Sequence, residues 1–229
     1  MKRNLFLLFV SVMLVSASCR YALESRDPSQ AASNTASTPV PVEKVLSTFD
    51  QIEGTHYLMA RISANPDARD SSGGPLSWLE SGYSSYSYDT YNFVFFDLDT
   101  ETYHRLLPSN KSVILQLTGF PTPVYDASQP DAPRPPIEWW LYTIVKADTD
   151  GNGVMNYEDI LTLGVSDVGG NGFTEVVGDV DNLLGHLYDD NSSLFVIYHS
   201  NGKNYIAKIN LSTREVLSTT EMDLGEDVK

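Results

Sequence analysis

Cysteine occurs once in this chain, at position 19, so no internal disulfide can hold the fold together. Positive charge is also scarce: 15 Lys and Arg stand against 30 Asp and Glu, a net charge of −15. So acidic a surface disfavours nucleic acid and bare anionic membrane as partners and suits cations and basic partners. No apolar run approaches the roughly 20 residues that cross a bilayer. The longest, Leu5 to Val15, is eleven residues interrupted by Ser11. Motifs of known chemistry are missing too. There is no Gly-x-Ser-x-Gly elbow, no phosphate-cradling glycine loop and no His-Glu-x-x-His. His56, His104, His186 and His199 are scattered, without the spacing of a transition-metal site. Nothing in the sequence nominates a catalytic residue.

What is present begins at the N-terminus. Lys2 and Arg3 precede the apolar run, which closes on Ser16-Ala17-Ser18-Cys19. A basic start, a short apolar stretch and small residues at its end form a secretory signal peptide over 1–18. Small residues closing on a cysteine resemble the lipobox of bacterial lipoproteins, with Ser16 standing where Leu is commoner. The resemblance implies that Cys19 is the mature N-terminus, carrying a thioether diacylglycerol and an acylated amine such as a palmitate. Several acyl chains at about 0.8 kcal/mol per buried CH₂ anchor stably in a bilayer, where one is marginal. Arg20 rather than Asp after the cysteine favours the outer membrane of a bacterial envelope. Loss of Lys2 and Arg3 leaves 13 basic against 30 acidic residues, so the processed chain carries about −17.

Residues 19–43 read as a lipid-anchored flexible linker. Ser25 to Pro41 (SRDPSQAASNTASTPVP) has no apolar period and too little apolar surface to offset the entropy of ordering. The remaining residues, 44–229, suit one all-β domain. Beyond a possible helical turn or two over 42–49, the chain shows short β-type runs. These cover 55–62, 91–96, 112–118, 139–145, 160–165, 194–199, 205–210 and 216–220. Each is rich in Val, Ile, Thr, Tyr and Phe and bounded by Gly, Asn, Asp or Pro. Asn201-Gly202 predicts a hairpin turn, because both residues tolerate positive φ.

One pattern recurs. Phe96-Asp97-Leu98-Asp99-Thr100-Glu101-Thr102-Tyr103 aligns with Ile209-Asn210-Leu211-Ser212-Thr213-Arg214-Glu215-Val216, and Val165 to Phe173 fits the frame more loosely. Leu98 and Val168 are 70 residues apart, Val168 and Leu211 43. The shorter spacing is that of a four-stranded blade, about 40–45 residues. The longer contains two insertions, the Pro-rich stretch 121–136 and the loop from Asp148. These turns resemble those joining the two outer strands of a blade in TolB-like β-propellers. The resemblance implies antiparallel hairpins, arranged as three propeller-blade-like units or as an open β-sheet or sandwich.

The strongest chemical signal is the inserted loop 148–159. Asp148-Thr149-Asp150-Gly151-Asn152-Gly153-Val154-Met155-Asn156-Tyr157-Glu158-Asp159 offers oxygen donors at positions 1, 3, 5, 9 and 12, with Gly at 6 where the chain must turn sharply. Calcium wants six to eight oxygens, and this spacing wraps one ion. The candidate ligands are the side chains of Asp148, Asp150, Asn152 and Asp159, the Val154 carbonyl, and Asn156 directly or through water. The loop resembles EF-hand and, more closely, dockerin calcium loops, which often end in Asp. Its flanks differ: Trp139 to Val145 reads as a strand, Tyr157 to Leu163 as at most one helical turn before a strand, and the loop is unpaired. Only the ion carries over from those families, not their partners or switching.

Weaker candidates are Asp179-Val180-Asp181-Asn182 and Asp189-Asp190-Asn191 as a second cation site, the tract Tyr83 to Tyr88 as a binding loop, and Trp78, Trp139 and Trp140 as an aromatic platform. Each has a plainer reading as solvated turn, hairpin tip or core. Together these features point to an envelope lipoprotein displaying a calcium-stabilised β domain that binds a protein or glycan. A hydrolase-type enzyme with a loop-built site and a purely structural envelope component are the alternatives.

Overall fold

The centre of the structure is the strand Trp139–Val145, whose sequence, Trp-Trp-Leu-Tyr-Thr-Ile-Val, has no polar face. An antiparallel strand in contact with water on one side alternates apolar and polar residues; this one is buried on both. Trp140, Tyr142 and Ile144 enter one hydrophobic core, and Leu141 and Val145 enter another. The computed structural model describes residues 43–64, 90–121, 135–189 and 192–225. Residues 42–229 form one compact unit.

Among the described residues every regular element is a strand: β1 Val45–Leu46, β2 Asp50–Gln51, β3 Tyr57–Ser63, β4 Thr90–Asp97, β5 Thr102–Arg105, β6 Val113–Phe120, β7 Trp139–Val145, β8 Leu161–Asp167, β9 Thr174–Val180, β10 Asn182–Asp189, β11 Ser193–Ser200, β12 Lys203–Asn210 and β13 Glu215–Met222. All pairings are antiparallel. One sheet runs β1-β3-β4-β6-β7-β8-β9, with β2 on β3 and β5 on β4; the other runs β10-β11-β12-β13. The larger sheet divides naturally in two, because β4 and β6 meet only at Thr90 and Ile114. The result is three successive meanders: β1/β2 to β5, β6 to β9, and β10 to β13.

The middle meander is covered on both faces. Met59, Phe93, Phe95 and Leu106 of the first meander pack with Trp140 and Tyr142. Leu194, Val196, Ala207 and Ile209 of the third pack with Leu141, Leu163 and Val165. Burying each such side chain contributes about 1.5–3 kcal/mol, so these two cores dominate stability. Two polar groups drawn into the first of these cores are satisfied there. The Trp140 indole N–H donates to the Val168 carbonyl at 2.9 Å, and the Tyr142 and Ser166 hydroxyls share a hydrogen bond of 2.8 Å.

The recurrent sequence pattern has a conformational counterpart. It falls between the third and fourth strands of each meander, at β4–β5, β8–β9 and β12–β13. In each turn the first polar side chain accepts a backbone N–H. Asp97 Oδ1 accepts from Asp99 at 2.9 Å, Asp167 Oδ1 from Asn171 at 2.7 Å, and Asn210 Oδ1 from Thr213 at 3.0 Å. Four residues after the cap, Glu101 and Arg214 take matching positive φ of 55° and 60°. The middle turn meets the same need with Gly170 and Gly172, at φ 76° and 62°.

The predicted strands are present with shifted ends, and Asn201 and Gly202 take the expected positive φ of 51° and 76°. Two helical readings are corrected. The 42–49 segment contributes the short strand β1, tied by Val45 to Ser63 and Leu46 to Ile62. After the loop the chain makes only a turn before β8. Strands β2, β5, β9 and β10 lie outside the predicted runs. Trp78, Tyr83 to Tyr88 and the N-terminal segments 1–18 and 19–42 lie outside the described residues.

Candidate metal centre

The 148–159 loop joins β7 to β8 at the edge of the middle meander. Three carboxylates converge in it: ligand oxygens of Asp148, Asp150 and Asp159 all lie within 4.8 Å of one another. Asp148 and Asp150 are exposed, whereas Asp159 is buried. Gly151 and Gly153 sit at φ 76° and 87°, a region that a side chain at Cβ penalises.

Backbone donors hold the acids in place. Asp148 accepts the N–H of Gly151 through Oδ1 and that of Gly153 through Oδ2, each at 2.8 Å. Asp150 Oδ1 accepts from Asn152 N at 2.9 Å, and Asp150 Oδ2 accepts from Asn152 Nδ2 at 2.7 Å. Asp159 closes the loop. Its Oδ1 accepts from Thr149 N and Thr149 Oγ1 at 2.5 and 3.0 Å, and its Oδ2 from Asn156 N at 2.9 Å. Those N–H donors, led by Asn156, hold the Asp159 carboxyl below its usual range, so it stays charged although buried. Asp159 Oδ1 also accepts from Asp150 N at 3.3 Å and so is filled by three donors, whereas Asp159 Oδ2 and the oxygens of Asp148 and Asp150 each accept one and keep a further acceptor direction.

The remaining predicted ligands are placed less directly. Asn152 Oδ1 accepts from Val154 N at 2.7 Å, and Asn156 Oδ1 accepts from Glu158 N at 2.6 Å. Their side chains brace the loop. Val154 itself is 55% exposed. Sequence reasoning passed over Thr149 and Met155. The Thr149 hydroxyl both donates to Asp159 and accepts from Ile160 N at 2.9 Å, stapling the two ends. Met155 packs against the core shared by the second and third meanders. Tyr157 reaches back to donate to the Leu115 carbonyl at 3.3 Å. Beside the loop a groove of about 470 Å³ opens, lined by Lys146, Thr149, Ile160, Thr162, Glu175 and Asp179. Lys146 and Glu175 are paired across it at 2.8 Å.

A second group arises that no sequence spacing announced: His56, Asp97 and Asp99, with ligand atoms within 4.8 Å. His56 Nδ1 lies 3.7 Å from Asp99 Oδ2 on the surface. Burial first, and then the charges of Asp97 and Asp167, push the neighbouring Tyr57 hydroxyl above its usual value. The only legible signal was the repeated turn holding the two acids. Of the other acidic runs, Asp181 Oδ2 accepts from Asn201 N and Asp189 Oδ1 from Ser193 N, both in turns, while Asp190 and Asn191 lie outside the described residues. Of the tryptophans, Trp140 is fully buried and Trp139 half-buried, so no exposed platform forms between them.

No family model matches the chain, and no curated protein matches it. Eleven chains among solved structures are similar. One is the β-propeller domain of the Trilobed protease from Pyrococcus furiosus, 10% identical with a TM-score of 0.35; the match covers 79% of this chain and 43% of that one. This chain thus spans less than half that protein's length. The all-β architecture rests on the strands and registers above, not on this likeness.

Proposed function

We propose that the chain is a calcium-clamped, all-β binding domain carried on a bacterial envelope lipoprotein and tethered to the bilayer through acylated Cys19. The observation that carries the calcium assignment is the convergence of Asp148, Asp150 and Asp159 within 4.8 Å, on a loop with calcium spacing and positive-φ glycines at its turns. Three carboxylates so close repel one another, and a hard divalent cation is the chemistry that offsets this. The ion's role is structural. A single loop between two strands has no mobile helix pair to move, so it clamps β7 to β8 and shapes the adjoining groove. That groove, with its Lys146–Glu175 pair, is where an envelope protein or glycan would be met.

The test is calorimetric titration of the chain with Ca²⁺, alongside melting with Ca²⁺ and with chelator. Wild type should bind one ion and melt higher when loaded, and Asp148→Ala should lose both effects. A titration without heat, together with unchanged melting, would sink the assignment.

A further inference from the structure

The chain holds three Asn-Gly steps: Asn152-Gly153, Asn171-Gly172 and Asn201-Gly202. Such a step can rearrange unaided, because glycine has no side chain to shield its nitrogen from the preceding carboxamide. The Gly nitrogen gives up its proton and attacks the Asn Cγ. The new C–N bond closes a five-membered succinimide, and the bond to Nδ2 breaks with loss of ammonia. Water then opens the ring at one of its two carbonyls. One opening leaves aspartate; the other leaves isoaspartate, with the backbone rerouted through Cβ and Cγ. Water is the only co-reactant. The fold decides whether the nitrogen can lose its proton and reach Cγ.

The three steps are held differently. Gly153 N–H donates to Asp148 Oδ2 at 2.8 Å, so an anion forming on that nitrogen would face a carboxylate. The Asn152 carboxamide is fixed at both ends, Oδ1 by Val154 N and Nδ2 by Asp150 Oδ2, each at 2.7 Å. Asn171 is pinned through its backbone: its N–H donates to Asp167 Oδ1 at 2.7 Å, and its carbonyl accepts from Arg214 Nη2 at 3.3 Å. Arg214 also crowds the next residue, since a Cβ on Gly172 would stand 2.6 Å from its Cζ. Asn201 and Gly202 are exposed at the tip of the β11–β12 hairpin. The Asn201 carboxamide makes one contact, Nδ2 to Ser200 Oγ at 3.2 Å, and among the described residues nothing accepts the Gly202 N–H. A Cβ on Gly202 would meet nothing within 4 Å, so the tip has room to open.

We propose that Asn201 is a site of spontaneous conversion to aspartate and isoaspartate, and that conversion loosens the joint between the middle and third meanders. The turn is part of that joint. Asn201 N–H donates to Asp181 Oδ2 at 2.9 Å, Ser200 Oγ to the Asp179 carbonyl at 2.6 Å, and Asp181 N–H to the His199 carbonyl at 2.9 Å. Either product sets a new carboxylate beside Asp181, and isoaspartate also lengthens the backbone of the two-residue turn.

The test is peptide mapping by mass spectrometry of the full chain, incubated in chelator at mildly alkaline pH, both folded and in urea. Folded wild type should exchange NH₂ for OH at Asn201 first, with isoaspartate among the products. Asn152 and Asn171 should lag by at least about tenfold, because hydrogen bonds to charged groups must open before either reacts. In urea, where the turns are gone, the three should convert at similar rates. Incubated wild type should melt below fresh protein. Asn201→Gln, whose longer side chain closes no five-membered ring, should keep its melting temperature, with circular dichroism confirming that it is folded. A folded chain whose Asn201 stays intact, or whose Asn152 or Asn171 keeps pace with it, overturns the proposal. So does an order of reaction that persists in urea, since sequence and not fold would then set it. Conversion at Asn201 with unchanged melting overturns the loosening of the joint.

Discussion

Gly170 shows how one residue sets a junction in this fold. It lies in the β8–β9 turn at φ 76°, and a Cβ there would stand 2.3 Å from Phe95 Cδ2. Phe95 is fully buried and cannot yield. Gly170→Ala should therefore cost at least the 1–3 kcal/mol of a strained backbone, with further loss from displaced core. The urea midpoint should drop accordingly, whereas Gly178→Ala, where a Cβ meets nothing within 4 Å, should cost far less. His186 gives a second prediction at this scale. It lies edge-on to Phe120 with ring centroids 5.4 Å apart; the residue as a whole is exposed, but partial desolvation of the ring lowers its imidazole pKa, so the effect on stability is small. The unfolded chain therefore takes up the proton first. This contribution to stability is present above about pH 6.5 and lost as pH falls from there to the folded value. Unfolding midpoints measured at neutral and mildly acidic pH should differ less in His186→Phe than in wild type.

Among elements, the 148–159 loop is the one whose stability depends on solution conditions. Extracellular calcium modules bind at about 10⁻⁴–10⁻³ M. With an affinity of about 10⁻⁴ M and roughly millimolar calcium, linkage adds about 1.4 kcal/mol, a few degrees of melting temperature. Mg²⁺ should substitute poorly because it demands tight octahedral geometry. Thr149→Val separates the staple from the ion. It removes the hydroxyl that joins Asp159 to Ile160 N, and should cost about 1 kcal/mol in chelator while leaving a calcium response. A variant as stable as wild type in chelator would show that the backbone bonds alone close the loop. Elements also differed in how far their residues announced them. β7, with seven apolar or β-branched residues, was plain, and so was the Asn201-Gly202 hairpin. β9 and β10 were not. β9 carries Gly178 and Asp179, the latter at φ 53°, and β10 carries Asn182, Gly185 and Asp189 with a register shift at Leu183/Gly185. Each is an edge strand that takes its form from a single partner, β8 for β9 and β11 for β10, not from intrinsic propensity.

At the scale of the whole molecule, the described residues form three stacked meanders of similar plan, the middle one covered on both faces. The proposed anchor acts at this scale. A Cys19→Ala variant should remain uncut or leave the membrane, and wild type should partition into the detergent phase with its N-terminus at Cys19. Recovery of wild type as a soluble protein starting elsewhere would remove the anchor from the proposal without touching the calcium loop.

The sequence by itself determined what contiguous residues settle: the β class, the capped turns at Asp97, Asp167 and Asn210, and the spacing of acids and glycines in the loop. Each depends on φ preferences and on side chains reaching backbone groups a few positions away. Only the tertiary structure decided what depends on distant residues. It set Trp140 in one core while Trp139 stays half-buried, brought His56 to Asp97 and Asp99 from 41 residues away, and seated Phe95 on Gly170 from 75 away. Stacking buries whatever faces happen to meet, and strand periodicity marks a face as apolar without naming what lies against it.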